Sequence, residues 1–293
     1  MEGISFDQDR LGRWFVLFCA GPLWRPFDFT AFAPFSSRNS VDFLLARRIR
    51  MITSCAMPVR FLVFSSTHLI TVGWGFALLS ILLLVAKRSP ATAQPLVRAV
   101  LAFFCLTAYG YSQYAWSTCQ HELDLDNILP FHLCDIAAFL AGYALLTRKH
   151  WAQTLTYYWG LAATLQALIT PALTYTYPHL TFFSFFFHHF AIVGAALFIP
   201  LCDQWRPLRP WWTSPLRAFF CVNLYLLFAA IANAALGTNF GFVAHPPPNP
   251  SLIDHLGPWP YYIFSFELIA LLLFVFLTLP LLRKKRRVDG IAD

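Results

Sequence analysis

Residues Trp259–Arg287 read WPYYIFSFELIALLLFVFLTLPLLRKKRR, an apolar run that ends in five consecutive basic residues. About 20 apolar residues are enough for a helix to cross a bilayer, so this run predicts a transmembrane helix. The basic residues predict a cytoplasmic end, because Lys and Arg are enriched in cytoplasmic segments. Glu267 is the one carboxylate within the run. Because burying a charge in lipid is costly, Glu267 indicates a functional position.

The same apolar pattern recurs along the 293-residue chain, which is 58% hydrophobic and only 12% charged. Soluble domains carry about 25% charged residues, so the composition excludes that class. The predicted fold is all-α, a polytopic membrane bundle of about seven transmembrane helices. The predicted spans are Phe61–Ala86, Leu96–Ser117, Ile128–Leu146, Trp151–Leu173, Phe182–Cys202, Leu216–Leu236 and Trp259–Leu282.

The basic residues alternate between the two sides of these spans. Segments 118–127, 174–181 and 237–258 contain no Lys or Arg, whereas the connections on the other side are basic. The positive-inside rule therefore predicts an outside N-terminus, a cytoplasmic C-terminus and a multi-pass location in the plasma or inner membrane. The net charge of +7 follows from this topology. Membrane lipids are the expected partners, no nucleic acid is expected, and the sequence does not predict an oligomeric state.

The chain divides into three predicted parts. Residues 1–57 hold seven arginines and five acids with no span-length apolar run. They are expected to be a disordered extension, or to reflect a start placed too far upstream, with Met51 or Met57 as the true one. Residues 58–283 are the predicted seven-helix domain, and residues 284–293 a basic cytoplasmic tail.

Polar residues inside the predicted spans gather near the outer ends. His132 and Asp135 share a helix face by the i, i+3 rule, and Glu267 is expected in the same layer. No Lys lies within a span, which excludes a retinal pigment with its lysine Schiff base. These residues predict an outward-facing pocket, although Asn, Gln and Thr side chains can also simply tie helices together. The predicted substrate-binding residues are His68, Gln166, Asn233, Asn239 and Glu267.

Three chemistries fit this pocket. Nucleophilic catalysis would use Cys134 or Ser184 with a histidine base oriented by a carboxylate. Cys134 points away from His132, so it is better placed to meet a histidine of another helix. A proton or cation relay through the His, Asp and Glu side chains is the second. A metal site would use His68, His132 and His189 with Asp135 or Glu267. Since no metal-binding motif is present, no metal is predicted, and no cofactor is assigned. A Cys119–Cys134 disulfide is a further alternative.

Five segments carry a resemblance to a known family. They are LPFHLCDI (129–136), WGLAATLQALITP (159–171), FFFHH (185–189), GTNFGF (237–242) and NPSLIDHLGPWPYY (249–262). Together they resemble the YwaF-like family of bacterial integral membrane proteins over roughly residues 60–283. His189 matches the family position, whereas His188 falls on a variable one. His68, Asn223 and Asn233 also fit the family pattern.

The YwaF-like family is distantly similar to an animal transmembrane family whose members are reported as acyltransferases acting on ether phospholipids through a cysteine thioester. This resemblance implies a lipid-acting acyltransferase or hydrolase, with His132 and His189 as acid and base and Asp135 orienting a histidine. It places Phe131 at the nucleophile position, with Cys134 a near neighbour. The predicted catalytic residues are therefore His132, His189, Asp135 and Cys134. The alternatives are a transporter or binding protein for a small polar or cationic solute, and a non-catalytic structural membrane protein.

Overall fold

The computed structural model describes residues 59–119, 124–247 and 250–282. The predicted extension and basic tail lie outside the described residues. Within those residues the fold is helical, with one isolated β-bridge between Arg60 and Tyr175. The all-α prediction is confirmed. The helices are α1 Ser66–Arg88, α2 Ala93–Cys119, α3 Leu125–Ile128, α4 Leu133–Thr147, α5 His150–Ile169, α6 Leu180–Leu201, α7 Thr213–Leu236 and α8 Tyr261–Thr278. Short 3₁₀ turns occupy Phe240–Phe242, Leu252–His255 and Leu279–Leu281.

Six helical stretches in the described part of the chain are long and apolar enough to cross a membrane. These are α1, α2, the α3–α4 pair, α6, α7 and α8 extended to Leu281. The protein is therefore a multi-pass integral membrane protein. Its orientation in the bilayer remains a prediction from the charge pattern.

The fourth predicted span, Trp151–Leu173, forms helix α5 but is not among these six. The helix has 20 residues and no Asp, Glu, Lys or Arg, so uncharged polar side chains lower its hydropathy. It packs against α4, α6, α7 and α8, which replace lipid around much of its surface. The Tyr158 hydroxyl lies 2.7 Å from Thr278 Oγ1 of α8, and the Trp159 indole donates to Ala218 O of α7 at 3.2 Å. These bonds satisfy polar groups that lipid could not.

Helix α6 occupies the centre of the bundle. It packs against α1, α2, α4 and α5, and most of its residues are buried. Its approach to α5 is close: a Cβ added at Gly160 would lie 2.7 Å from Ala196 Cβ. The central position of α6 places His188 and His189 inside the protein rather than against lipid.

Two predicted helix ends were wrong by several residues. The first span was predicted from Phe61, but α1 begins at Ser66, capped by the Ser65 side chain. The fourth was predicted to reach Leu173, but α5 ends at Ile169. α5 ends before Pro171, because proline disfavours helical backbone in the residue before it, and Thr170 is not helical. α1 begins late because residues 59–61 run antiparallel to residues 174–176. The Phe61 N–H donates to Thr174 O at 2.9 Å, and backbone paired in this way cannot continue a helix.

Candidate functional site

The candidate site is built on a break between α3 and α4. The third span was predicted as one helix over Ile128–Leu146, but α3 ends at Ile128 and α4 begins at Leu133. Pro130 explains the break, since proline disfavours helical backbone in the residue before it, and Leu129 is extended. His132 becomes the N-cap of α4, with φ −66° and ψ 145°.

Cys134 and Asp135 lie in the first turn of α4 and meet His188 of α6. One ligand atom from each of these three side chains lies within 4.8 Å of the other two. His188 Nδ1 is 3.9 Å from Asp135 Oδ1, and both side chains are nearly buried. His188 Nε2 is 3.1 Å from Cys134 O. A thiol, an imidazole and a carboxyl therefore converge at one point inside the bundle.

The hydrogen bond to Cys134 O fixes the tautomer of neutral His188. A carbonyl oxygen only accepts, so Nε2 carries the proton and Nδ1 presents a lone pair toward the Asp135 carboxyl. A lone pair facing a carboxylate is unfavourable unless a proton or a cation lies between them. The arrangement is thus suited to holding and releasing a proton. Thiolate, imidazole and carboxylate are also the donors that zinc takes in proteins.

His189 lies beside His188, with the two ring centroids 5.4 Å apart. Its Nδ1 donates to Phe185 O at 2.7 Å, and its ring stacks on Phe185 at 4.0 Å. The stacking and the hydrogen bond fix the ring, leaving Nε2 as an acceptor. No hydrogen bond to Nε2 is formed by any of the described residues, so this nitrogen is available to a substrate.

His132 lies at the mouth of the break. Its Nε2 is 3.1 Å from Asp126 O, and its ring meets Phe240 edge-on at 5.2 Å. As an N-cap its backbone is extended, so the predicted i, i+3 pairing with Asp135 does not form. Asp135 faces His188 instead. Asp135 in the first turn of α4 therefore contacts His188 of α6, whereas His132 at the N-cap contacts Asp126 and Phe240.

Tyr225 of α7 encloses the site from a third side. Its hydroxyl donates to Phe131 O at 3.1 Å, and it is 6% exposed. A Cβ added at Gly241, where φ is +65°, would lie 3.0 Å from this hydroxyl. Gly241 thus lets the turn after α7 approach the site closely. No sequence spacing pointed to Tyr225.

Cys134 is a free thiol. The prediction of a Cys119–Cys134 disulfide is therefore wrong, and Cys134 keeps a thiol that can react.

Of the predicted substrate-binding residues, His68 is fully engaged in tying α1 to α5. Its Nδ1 accepts from Phe64 N at 3.0 Å, and its Nε2 donates to Leu168 O at 2.9 Å. Gln166 donates to Thr170 Oγ1 at 3.0 Å, as their i, i+4 spacing predicts. None of the described contacts links these residues to Cys134.

Asn233 and Asn239 organise the turn that follows α7. Asn233 Oδ1 accepts from Phe240 N and the Thr238 hydroxyl, and its Nδ2 donates to Phe240 O. Asn239 accepts from Ala244 N at 3.1 Å. These contacts favour a structural role for both amides, because the turn carries Phe240 against His132.

Glu267 lies apart from the histidines. Its Oε2 accepts from Asn223 Nδ2 at 2.7 Å, which joins α8 to α7. None of the hydrogen bonds and ion pairs formed among residues 59–119, 124–247 and 250–282 connects it to the Cys134 cluster. No direct contact among the described residues therefore supports the prediction that Glu267 shares a layer with His132 and Asp135.

His188 is the residue that sequence reasoning left undecided. The family resemblance favoured His189, and only the direction of Cys134, away from His132, pointed to a histidine on another helix. The structure supplies that histidine from α6.

Comparison with known families gives one match. Residues 63–278 match the model of the TMEM164 family. The chain belongs to this family. The matched region includes every residue of the site described above. No curated protein and no solved structure matches the chain. The narrower resemblance to YwaF-like proteins remains a prediction for this TMEM164-family member.

Proposed function

We propose that this TMEM164-family protein transfers or hydrolyses an acyl chain of a membrane lipid, with Cys134 as nucleophile. The observation that carries the proposal is the convergence of Cys134, Asp135 and His188 within 4.8 Å. A nucleophile beside a histidine that is oriented by a carboxyl is the arrangement that activates thiols and hydroxyls in acyl transfer. The family resemblance implies lipid acyl transfer as well, although it places Phe131 rather than Cys134 at the nucleophile position.

In the proposed reaction, the Cys134 thiol loses its proton to His188 and its sulfur attacks the carbonyl carbon of a lipid ester. The C–O ester bond breaks, a thioester forms, and the leaving alcohol takes a proton from His188. An acceptor alcohol or water then attacks the thioester, releases the acyl group and restores the thiol. The Cys134 carbonyl holds His188 in position through Nε2, and Asp135 stabilises the charged form of His188.

Two further groups fit this reaction. The first N–H groups of a helix have no acceptor within the helix, so those of Leu133 and Cys134 in α4 can donate to the carbonyl oxygen as it becomes negative. His189, whose ring lies beside that of His188, has Nε2 to receive the proton of the acceptor alcohol. His132 is half-buried and packs against Phe240. By the predicted orientation this end of α4 faces the outer leaflet.

The solute-relay alternative receives less support from the geometry. A relay needs titratable groups within proton-transfer distance of one another. Glu267 is bonded to Asn223 rather than to a histidine. Among the residues that the structure describes, Cys134, Asp135 and His188 are the one group of three His, Cys, Asp or Glu side chains whose ligand atoms converge.

The decisive experiment is to trap the thioester. The purified protein would be incubated with phospholipid vesicles and its intact mass measured before and after treatment with neutral hydroxylamine, which cleaves thioesters. Wild-type protein should gain the mass of one acyl chain and lose it with hydroxylamine. Cys134→Ala should gain none, whereas Cys105→Ala, which removes a cysteine buried between α2 and α6, should behave as wild type. An acyl adduct that persists in Cys134→Ala would refute the nucleophile.

Lipid composition of cells provides the second readout. Deleting the gene should shift one lipid class, and the wild-type gene but not His132→Ala or His189→Ala should restore it. All variants should reach the membrane in equal amounts. An unchanged lipidome, together with Glu267-dependent uptake into proteoliposomes, would favour the transport reading instead.

A further inference from the structure

A large groove lies at the opposite end of the helices from the Cys134 site. It has a volume of about 730 Å³ and runs between the first turns of α5 and α7. Its walls are mainly apolar, with Trp151 and Leu155 on one side and Leu216 and Phe220 on the other. This volume is within the range of about 300–1,000 Å³ typical of small-molecule sites.

The charge around this end of the bundle is strongly positive. The ends of α1, α2 and α7 on this side, with the connections after α4 and α6, contain Lys87, Arg88, Arg98, Arg148, Lys149, Arg206, Arg209 and Arg217. The only acid in these segments, Asp203, already pairs with Arg98. An anionic ligand is therefore electrostatically favoured at this end.

Arg217 is the cation that lines the groove. Its side chain is exposed, and among the described residues it has neither an ion pair nor a hydrogen bond. The neighbouring polar groups are already occupied: His150 Nε2 lies 2.9 Å from Arg206 O, and Arg206 donates to Pro200 O. Arg217 is thus the guanidinium that remains for a ligand, and guanidinium groups match phosphate oxygens well.

The dimensions of the groove match one lipid chain. Its lining on α7 runs from Thr213 to Cys221, which is about 12 Å at the helical rise of about 1.5 Å per residue. One leaflet of the hydrocarbon core is about 15 Å thick. Trp151 and Trp212 line the end of the groove nearest the helix termini, and tryptophan is enriched at the membrane–water interface. The groove therefore begins at headgroup level and extends through most of one leaflet.

We propose that this groove binds one anionic phospholipid, with an acyl chain between α5 and α7 and its phosphate at Arg217. By the predicted orientation the lipid belongs to the cytoplasmic leaflet. The site is separate from the Cys134 cluster and does not depend on the proposed acyl transfer. Its role is recognition, with no bond made or broken.

A second hollow in the protein has apolar walls but no cation, and it serves as a comparison with the groove at Arg217. It has a volume of about 130 Å³ between α1 and α5 and is lined by apolar side chains and His68. Both ring nitrogens of His68 are engaged with backbone groups. Since no lysine or arginine lines it, this hollow can accept an acyl chain but cannot select a headgroup. The groove at Arg217 differs in combining the two.

Native mass spectrometry of the detergent-purified protein tests the proposal. Phosphatidylglycerol and phosphatidylcholine with identical acyl chains would be titrated separately, and the first bound lipid would be counted. Wild-type protein should prefer phosphatidylglycerol, and Arg217→Gln should reduce that preference roughly fivefold, the effect of one basic residue near an anionic headgroup. Arg88→Gln removes the same charge from the exposed end of α1, outside the groove, and should leave the preference unchanged.

The space for the chain is tested by filling the groove with a larger side chain. Cys221→Trp should reduce binding of the first phosphatidylglycerol by filling the space for the chain, and Leu155→Trp replaces it if the first variant unfolds on thermal denaturation. Inorganic phosphate should not compete with the lipid, because the chain contributes to binding. Equal affinity for the two lipids would overturn the proposal, as would equal losses in Arg217→Gln and Arg88→Gln. Competition by phosphate alone, or normal lipid binding with the groove filled, would also overturn it.

Discussion

Asn233 holds the turn that closes the candidate site, and its removal should destabilise the protein in a measurable way. Its side chain is 7% exposed and makes three hydrogen bonds, two of them to the backbone of Phe240, which is 0% exposed. Each buried hydrogen bond contributes about 1 kcal/mol. Asn233→Ala should therefore lower the free energy of unfolding by about 3 kcal/mol.

Thr238→Val is the matched control, since it keeps the side-chain shape and removes only one of these bonds. It should lower the free energy of unfolding by about 1 kcal/mol. For a chain of this size, about 2–4 °C of melting temperature corresponds to 1 kcal/mol, so the expected shifts are about 6–12 °C and about 2–4 °C. Thermal unfolding in mild detergent, followed by circular dichroism, measures both.

The ratio of the two losses decides the interpretation. Equal losses in the two variants, or a loss below about 1 kcal/mol in Asn233→Ala, would refute the role of this amide in holding the turn. If the Asn233→Ala protein is stable but has lost lipid turnover, the result would support the substrate-binding role that the sequence predicted for Asn233. Loss of both stability and turnover is expected, because Phe240 packs against His132.

Two other predictions follow from packing and charge. Gly160→Ala should lower the melting temperature, since overpacking costs about 1–3 kcal/mol. Gly110 has open space around it, so Gly110→Ala should raise the melting temperature because alanine favours a helix more than glycine does. A stabilised Gly160→Ala protein would contradict the close approach of α5 and α6. Burial lowers the pKa of His179, the N-cap of α6, below its usual 6.5. Below about pH 6.5 the unfolded protein binds a proton at this histidine that the folded protein does not bind, so the free energy of unfolding should fall as the pH drops. His179→Asn keeps a capping side chain and should flatten this dependence in thermal melts between pH 5 and 8, and an unchanged slope would count against it.

The helical class and the approximate positions of the spans could be predicted because each span must be apolar over a fixed length. Where the chain breaks or ends a helix, other forces act. Pro130 was visible in the sequence, yet its effect on His132 depends on the backbone conformation that the proline imposes. The pairing of residues 59–61 with 174–176 joins segments more than 100 residues apart, and no local pattern encodes it.

The candidate site was predicted in part. Cys134, Asp135 and the His188–His189 pair were visible as rare polar residues in apolar spans. Which histidine faces Asp135 depends on the rotation of α4 against α6, a property of helix packing rather than of sequence spacing. Asn233 and Asn239 illustrate the opposite limit, because a turn amide and a ligand-binding amide look alike in sequence. Their hydrogen-bonding partners distinguish the two.

The polar composition of α5 has a consequence for how the chain is made. A nascent helix leaves the translocon for the bilayer only when its own transfer free energy is favourable. The hydropathy of α5 is lower than that of the other long helices, so its partition into lipid depends on contact with a neighbouring helix. Its main partner, α6, is synthesised after it, so α5 must wait at the translocon or at the interface until α6 emerges. The pair would then enter the membrane as a hairpin, closed where Gly160 meets Ala196.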